Sequence, residues 1–296
     1  PAGYVGAIRA AQLGLSVACV EKAELGGTCL NWGCIPTKAL LAGAEFYHKL
    51  QHEASDWGIN AENIGYDWEK VIGRSRKVAG NLNQGVTGLF KKNKIQHFAG
   101  TAHIPAKGKV EVTKEDGSKE TLEAKNILVA TGARARSLPG VETDGDKIIT
   151  SREAMVLKEK PEKLLIVGAG AIGMEFAYFF NAFGTEVTIV EMVDRLLPIE
   201  DDDVSKEMGK AYRKLKIKQK LGYKPLSVEK TDTGIAATIA PADYEPAPEG
   251  AGYGQSPSDQ NEDADANEDK TEVIEADKLL LAVGVTGNVE GLFADD

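Results

Sequence analysis

The stretch "KLLIVGAGAIGMEFA", residues 163–177, limits the possible folds more than any other part of the sequence. An apolar run ends at Gly168, and Gly170 and Gly173 complete a Gly-x-Gly-x-x-Gly pattern. The first glycine permits a tight turn, the second lets the backbone approach a pyrophosphate, and the third lets a helix pack closely on a strand. The pattern predicts a buried parallel strand over 164–167, a tight turn and then a helix.

A further strand, "EVTIVE", is predicted after this helix, and it ends at Glu191. An acid at the end of the second strand accepts hydrogen bonds from an adenosine ribose. The phosphates of the same dinucleotide would lie at the positive end of the helix. Because a carboxylate repels a 2′-phosphate, Glu191 favours NAD over NADP.

The N-terminal part of the sequence repeats this unit. A shift of 170 residues places Gly3 on Gly173 and Glu21 on Glu191, and other glycines and valines also coincide. Gly3 therefore corresponds to the third glycine of a first motif, and Glu21 to its ribose-binding acid. Two such units indicate two dinucleotides. We expect the sequence to be a piece of a longer protein, truncated at both ends, with the first unit incomplete at its N-terminus.

The predicted fold class is α/β, with two doubly wound, three-layer, Rossmann-like dinucleotide-binding domains. We expect the first domain over 1–150 and the second over 151–285, with 286–296 beginning a return to the first domain. Residues 241–272 carry ten acids and one lysine together with Pro, Gly and Ser. This composition predicts a disordered acidic insertion between two strands, since it cannot bury a core. A solvated linker is a better interpretation of it than a partner or calcium site.

Two of the three cysteines, Cys29 and Cys34, lie close together in "GGTCLNWGCIPTKALL". Three cysteines cannot form a secretory disulfide framework. A structural disulfide that closes so short a loop would also stabilise the fold little. A redox-active pair is therefore favoured over a structural one. Cys19 lies in an apolar run and is interpreted as a buried core residue.

Composition excludes several classes of partner. The formal net charge of −10 argues against nucleic acid and against an anionic membrane surface. The sequence contains no run of eighteen apolar residues, so no bilayer-spanning helix is expected. No set of metal ligands is expected. The free thiols indicate a reducing compartment, the cytoplasm or the mitochondrial matrix.

The motifs, taken together, resemble those of the flavin disulfide oxidoreductases, also called the class I pyridine nucleotide-disulfide oxidoreductases. Within that family they are most similar to the dihydrolipoyl dehydrogenases. The similarity rests on four collinear stretches: "GGTCLNWGCIPTKALL", "ILVATGARARSLPG", "VEMVDRLLPIEDDDVSKEMGKAYRKLKIK" and "LLLAVGVTGNVEGL". It covers nearly the whole chain except about 240–272.

The resemblance implies roles for particular residues. Cys34 would lie against the flavin of FAD, and Cys29 would exchange with the disulfide substrate. Lys38 matches a lysine that reaches the flavin, and Glu175 a glutamate near the nicotinamide that pairs with that lysine. The alternative is that Lys38 is a solvated surface lysine and that Glu175 is a glutamate favoured by the dipole in the first turns of a helix. The resemblance and the repeated motif together give the expected cofactor-binding residues: Gly3, Glu21, Lys38, Gly100, Thr131, Gly132, Gly168, Gly170, Gly173, Glu175, Glu191 and Gly284.

The implied activity is that of a dihydrolipoyl dehydrogenase, which oxidises dihydrolipoyl groups through the disulfide and FAD to NAD. Its partners would be the dihydrolipoyl-bearing acyltransferase or carrier proteins of 2-oxoacid dehydrogenase or glycine-cleavage complexes, and the full-length protein would be a homodimer. The alternatives are a related reductase of mercuric ion, glutathione or trypanothione, and an inactive NAD-binding fragment. The acid–base His-Glu pair of the family has no match here. "HKLQHE", with His48 and Glu53, is interpreted as a solvent-facing helix turn.

Overall fold

The computed structural model describes residues 1–245 and 270–293. The predicted acidic insertion lies mostly outside the described residues. The described residues form helices and one 3₁₀ turn with these bounds: α1 (Ala2–Gln12), α2 (Gly27–Trp32), α3 (Cys34–His52), the 3₁₀ turn (Ala54–Trp57), α4 (Trp68–Lys92), α5 (Ser151–Ala154), α6 (Ala171–Ala182) and α7 (Asp202–Lys214). In this part of the chain no helix is both long and apolar enough to cross a membrane.

Helices and strands alternate over residues 151–221, and several strands follow one another directly on either side of this segment. The bounds of the strands are β1 (Ala18–Glu21), β2 (Gln96–Ala99), β3 (Thr101–Ala106), β4 (Lys109–Thr113), β5 (Lys119–Glu123), β6 (Ala133–Ala135), β7 (Ile148–Ile149), β8 (Lys163–Val167), β9 (Glu186–Glu191), β10 (Lys218–Leu221), β11 (Tyr223–Lys230), β12 (Ile235–Pro241), β13 (Glu272–Ala276), β14 (Lys278–Leu281) and β15 (Val285–Gly287).

The chain divides into two compact units. The first contains 1–43, 62–134 and 285–296, and the second contains 44–61 and 135–284. Helix α3 contributes residues to both units. Strand β7, which the sequence analysis placed at the end of the first domain, belongs to the second unit because it pairs with β14. A two-residue strand has too little pattern to be assigned from sequence.

The first unit packs α1, α2 and α4 around a small apolar core. Leu30 of α2, Val86 and Phe90 of α4, and Ala7 of α1 are buried in it. Strand β1 pairs in parallel with β2 beside this core, and Cys19 of β1 packs against it. Cys19 is only partly buried, and burial, followed by the charge of Glu21, raises the pKa of its thiol. Cys19 therefore packs against the core, as predicted, but is not fully buried.

The other described strands of this unit form an antiparallel sheet of β3, β4 and β5 and a short pair of β6 and β15. The β4–β5 turn passes through Asp116 and Gly117, a pair of residues that favours a tight hairpin turn. Gly117 has φ +80°, a conformation that glycine adopts readily. Asp116 accepts hydrogen bonds from the backbone and side chain of Ser118.

The second unit is built on a parallel sheet with strand order β10-β9-β8-β14-β7. Successive side chains of β8 face opposite sides of the sheet. Leu165 and Val167 join the apolar cluster formed with the antiparallel strands β11, β12 and β13. Ile166 faces the opposite way, toward α6, where Gly173 lies. The sheet is therefore covered on both faces, which confirms the predicted doubly wound, three-layer unit.

Helix α6 carries a buried aromatic cluster. Phe176, Phe179 and Phe180 are each at most 1% exposed, and the rings of Phe179 and Phe180 meet edge to face at 5.0 Å. Such pairs add about 0.5–1.5 kcal/mol to the burial of their area. The cluster is therefore a main source of stability for the second unit.

We predict that Phe180→Ala lowers the free energy of unfolding by about 3–5 kcal/mol, because a fully buried ring is replaced by a cavity. Urea denaturation of the whole chain, followed by circular dichroism, measures the change. Phe46→Ala is the matched control, since Phe46 is 66% exposed in the same unit and should cost no more than about 0.5 kcal/mol. Equal effects of the two substitutions would contradict the assigned core.

Candidate active site

Cys29 and Cys34 are joined by a disulfide, and their Cα atoms are 4.7 Å apart. Cys29 lies within α2, and α3 begins at Cys34. Gly26 and Gly27 have φ +107° and +72°, so the chain turns through left-handed backbone immediately before α2. The pair is accessible, because Cys34 is exposed and Cys29 is half-buried.

The N-terminal end of α3 places Cys34 in a favourable electrostatic setting for a thiolate. The helix is 19 residues long, and the positive end of a helix dipole stabilises an anion within its first turn. Lys38 follows one turn later and is exposed. Thr37 is buried, and its hydroxyl donates to the Gly33 carbonyl at 2.7 Å. This bond fixes the start of the helix beside the disulfide.

A buried amide network holds α2 at its N-terminal end. The Asn31 side chain, 5% exposed, donates to the carbonyl of Leu25 at 2.9 Å and to that of Gly27 at 3.1 Å. Asn83 of α4 donates to the same Leu25 carbonyl at 2.5 Å. The glycine turn before the disulfide is therefore fixed by hydrogen bonds from two helices.

Arg76 of α4 holds the other end of α2. Its guanidinium donates to the Asn31 carbonyl at 2.7 Å and lies 4.0 Å from the centroid of the Trp32 ring. Arg76 and Asn83 are seven residues apart, two helical turns or about 10 Å. This spacing matches the length of α2, about 9 Å for six residues. We call Arg76 and Asn83 the α4 clamp.

Sequence analysis missed the α4 clamp. Asn31 lies inside the cysteine motif. Its position among apolar neighbours is a sequence signal for a buried polar residue. Arg76 and Asn83 lie 45 and 52 residues further along the chain, in a helix whose other polar residues are mostly exposed. Nothing in their spacing distinguishes them from a solvated helix face.

The turn at Thr131 and Gly132 lies beside the disulfide helix. A Cβ on Gly132 would be 3.6 Å from the Thr28 hydroxyl of α2, and Gly132 has φ +74°. Asn288 fixes this turn, since its side chain donates to the Thr131 carbonyl at 3.1 Å and its backbone to the Gly132 carbonyl at 3.0 Å. The first unit therefore brings together the predicted flavin-binding turn and the cysteine motif. Sequence analysis did not single out Asn288.

The resemblance of "ILVATGARARSLPG" to the family implies a flavin-contacting strand before this turn, and this expectation is wrong. Residues 126–132 have no strand assignment, and the strand begins only at Ala133. A strand needs a neighbour for its backbone groups, and none of the described residues forms a ladder with this segment. It instead lies along α1, where a Cβ on Gly3 would be 3.4 Å from that of Ala130. The absence of a side chain at Gly3, and at Gly6 beside Leu128, allows this approach.

Glu21 and Gly100, the predicted adenosine-binding residues, are neighbours. The Gly100 backbone donates to the Glu21 carbonyl at 3.0 Å, at the carboxyl ends of the parallel strands β1 and β2. The Glu21 carboxylate accepts from the Ala23 backbone at 2.9 Å. A Cβ on Gly100 would lie 2.6 Å from the Thr113 carbonyl oxygen, so only glycine fits there.

The Gly-x-Gly-x-x-Gly motif of the second unit has the geometry that its pattern predicts. Gly168 has φ +104°, and a Cβ on it would lie 2.5 Å from the Ala282 carbonyl oxygen. A Cβ on Gly173 would overlap the carbonyl oxygen of Gly168. By contrast, a Cβ on Gly170 would meet nothing within 4 Å. The space over the N-terminal end of α6 is therefore open, which fits a pyrophosphate group.

Glu191 ends β9 next to this open space. Its carboxylate accepts from the backbone of Ala169 at 2.7 Å and of Val193 at 3.2 Å. These bonds fix the acid at the carboxyl edge of the sheet. Gly284 follows β14 at the same edge, with φ +110°, and accepts from the Arg136 backbone at 3.0 Å. Glu175 lies in the first turns of α6 and is half-buried.

His48 departs from its predicted solvent-facing position. It is half-buried and packs near Tyr178 of α6, with ring centroids 6.5 Å apart. Burial lowers the pKa of His48, His52 lowers it further, and Glu53 opposes this shift. The sequence could not show this contact because α6 lies more than a hundred residues further along the chain.

An accessible disulfide in one α/β unit and a Gly-x-Gly-x-x-Gly turn in another define a class, that of the nucleotide-dependent disulfide oxidoreductases. The comparisons with known proteins name the family within this class. The profile of the family described as pyridine nucleotide-disulphide oxidoreductase matches residues 1–296, and the chain belongs to this family.

Several of the similar proteins are named dihydrolipoyl dehydrogenase. The chain is 43% identical over 295 residues to dihydrolipoyl dehydrogenase of Chlorobaculum parvum, covering 100% of the chain and 57% of that protein. It is 46% identical over 243 residues to that of Zymomonas mobilis, covering 82% and 52%. The crystal structure of LpdA from Mycobacterium tuberculosis matches with a TM-score of 0.82 and 25% identity, covering 99% and 58%. The chain thus spans little more than half the length of these relatives.

We predict that Asn83→Ala makes the Cys29–Cys34 disulfide easier to reduce. Removal of this side-chain amide destabilises the disulfide-bonded arrangement of α2 by about 1 kcal/mol. This energy corresponds to about 20 mV in a two-electron reduction potential. Equilibration in dithiothreitol buffers, followed by alkylation and mass spectrometry, measures the potential. Asn81→Ala, an exposed substitution on the same helix, is the control, and an equal shift in both variants would refute the role of the α4 clamp.

Proposed function

We propose that the whole protein is a dihydrolipoyl dehydrogenase, which oxidises dihydrolipoyl groups through the Cys29–Cys34 disulfide and FAD to NAD. The single observation that carries the proposal is the accessible disulfide at the start of α3. Family membership and the names of the relatives support it.

The first step is a thiol–disulfide exchange that the disulfide itself can perform. One thiolate of the substrate attacks Cys29, and the electrons of the broken bond pass to the Cys34 sulfur. The second substrate thiolate then attacks its partner in the mixed disulfide and releases Cys29. Two substrate thiols become one disulfide, and the protein disulfide becomes two thiols. The N-terminal end of α3 and the Lys38 charge favour Cys34 as a leaving thiolate.

The residues of the first unit fit one dinucleotide. Glu21 and Gly100 would hold the adenosine end of FAD, and Gly3 would let α1 approach its phosphates. Thr131 and Gly132 would lie at the flavin, since their turn neighbours the disulfide helix. Bound FAD would supply the two-electron chemistry that links the dithiol to NAD. Lys38 would place a positive charge there.

The residues of the second unit fit NAD. The open space beside Gly170 gives a pyrophosphate access to backbone N–H groups at the end of α6. Glu191 would accept the hydrogen bonds of the adenosine ribose and would repel a 2′-phosphate. Gly284 leaves the same edge of the sheet free of a side chain. We place Glu175 near the nicotinamide.

The proposed partners are the dihydrolipoyl-bearing acyltransferase or carrier proteins of 2-oxoacid dehydrogenase or glycine-cleavage complexes. The proposal includes a homodimer for the full-length protein. Glu191 argues against a glutathione-type enzyme, because such an enzyme must accept the 2′-phosphate of NADPH.

We predict that dihydrolipoamide reduces the Cys29–Cys34 disulfide faster than dithiothreitol does at the same thiolate concentration. Both reagents are dithiols, so the comparison isolates recognition of the lipoyl group from general exchange. Quenched-flow alkylation with mass spectrometry counts the released thiols. Cys29→Ser removes the reaction and Cys19→Ser leaves it unchanged. Equal rates for the two dithiols would argue against a dihydrolipoyl substrate.

A second prediction concerns nucleotide choice. The whole chain should bind NADH more tightly than NADPH. Glu191→Gln should reduce the ratio of the two affinities about tenfold, because a hydrogen bond to a charged group contributes about 1.5–3 kcal/mol. Calorimetry measures both affinities. Glu186→Gln, at the opposite end of the same strand, should leave the ratio unchanged. A preference for NADPH in the unmodified chain would overturn the assignment of Glu191.

A further inference from the structure

Two of the chain's four histidines lie on one face at the C-terminal end of α3. His48 and His52 are four residues apart, and their ring centroids are separated by 4.5 Å. Two histidines at this helical spacing form the zinc-binding pair of the His-Glu-x-x-His motif. His97 and His103 lie elsewhere, in β2 and β3.

The distance between the two rings suits a shared metal ion. A metal bound by a ring nitrogen at 2.0–2.1 Å lies about 3.2 Å from the centroid of that ring. Two such rings at a right angle around the metal have centroids about 4.5 Å apart, and at the tetrahedral angle about 5.2 Å. The observed separation of 4.5 Å lies at the near end of this range.

Packing restricts the pair before any metal binds. Tyr47 stacks on Phe183, the residue that follows α6, with centroids 5.2 Å apart, and His48 lies beside Tyr178 of α6. Among the described residues, no hydrogen bond occupies a ring nitrogen of His48 or His52. The ring nitrogens of both residues are therefore available to a ligand.

The electrostatic surroundings also favour a cation. The C-terminal end of a long helix attracts positive charge. The charged and titratable groups around the two histidines are Glu45, Lys49, Glu53 and Tyr178. Lys49 forms an ion pair with Glu45 at 2.5 Å.

We propose that His48 and His52 bind a divalent transition-metal ion such as Ni²⁺, Zn²⁺ or Cu²⁺. Within the described residues, no set of three or more His, Cys, Asp or Glu side chains is placed to share a metal. Water therefore completes the coordination, and the ion exchanges readily. Imidazole ligands select Cu²⁺, Ni²⁺ and Zn²⁺ over Mg²⁺ and Ca²⁺, with Cu²⁺ bound most tightly.

The test is a Ni²⁺ titration of the whole chain by calorimetry, with the disulfide intact and Cys19 alkylated. We expect one saturable site that excess Mg²⁺ does not displace. His48→Gln and His52→Gln should each weaken it at least tenfold, and His97→Gln should change the affinity less than twofold. His52 is exposed, so its substitution leaves folding intact, which circular dichroism checks.

A spectroscopic readout identifies the ligands. The Cu²⁺ complex should show hyperfine coupling to two imidazole nitrogens in electron paramagnetic resonance, and His52→Gln should remove one of them. The absence of saturable Ni²⁺ binding, an unchanged affinity in folded His52→Gln, or a Cu²⁺ spectrum without nitrogen coupling would each overturn the proposal. None of these outcomes depends on the proposed dehydrogenase activity.

Discussion

The close backbone approach at Gly173 is the constraint on which the second unit depends. The carbonyl oxygen of Gly168 occupies the space that a Cβ on residue 173 would need. Only this approach lets α6 begin directly after β8, with Ile166 packed beneath it and the space over Gly170 open. The helix end that would bind phosphates and the aromatic cluster that stabilises the unit therefore lie on one helix, fixed by one glycine contact.

A polar network plays the corresponding role at the disulfide. A six-residue helix such as α2 has almost no stability of its own, and its N-terminal turn uses left-handed glycines. Asn31 and the α4 clamp satisfy carbonyl groups at both ends of α2. Buried amides that are all hydrogen-bonded specify one arrangement, so the disulfide keeps its position. A mobile redox pair would exchange with thiols less selectively.

Local pattern predicted what local physics decides. The strand, turn and helix around Gly168, and the strand that ends at Glu191, each follow from residues within a few positions of one another. The segment before Thr131 has an equally apolar pattern but is not a strand, because pairing depends on a neighbour and not on composition. The α4 clamp, Asn288 and the position of His48 depend on contacts between distant segments, for which a single sequence has no signal.

Helix α3 carries the disulfide at its N-terminal end and the proposed metal site at its C-terminal end, and the dipole of the helix acts on both. Its positive end lies at Cys34, where a thiolate is needed for exchange, and its negative end lies at His52, where a cation is favoured. The dipole acts within about one turn at each end, and the two sites are separated by more than three turns of helix. A metal at His48 and His52 would therefore order the last turn of α3 without changing the charge environment of the disulfide. The two functions can share a helix because the field of each end is local.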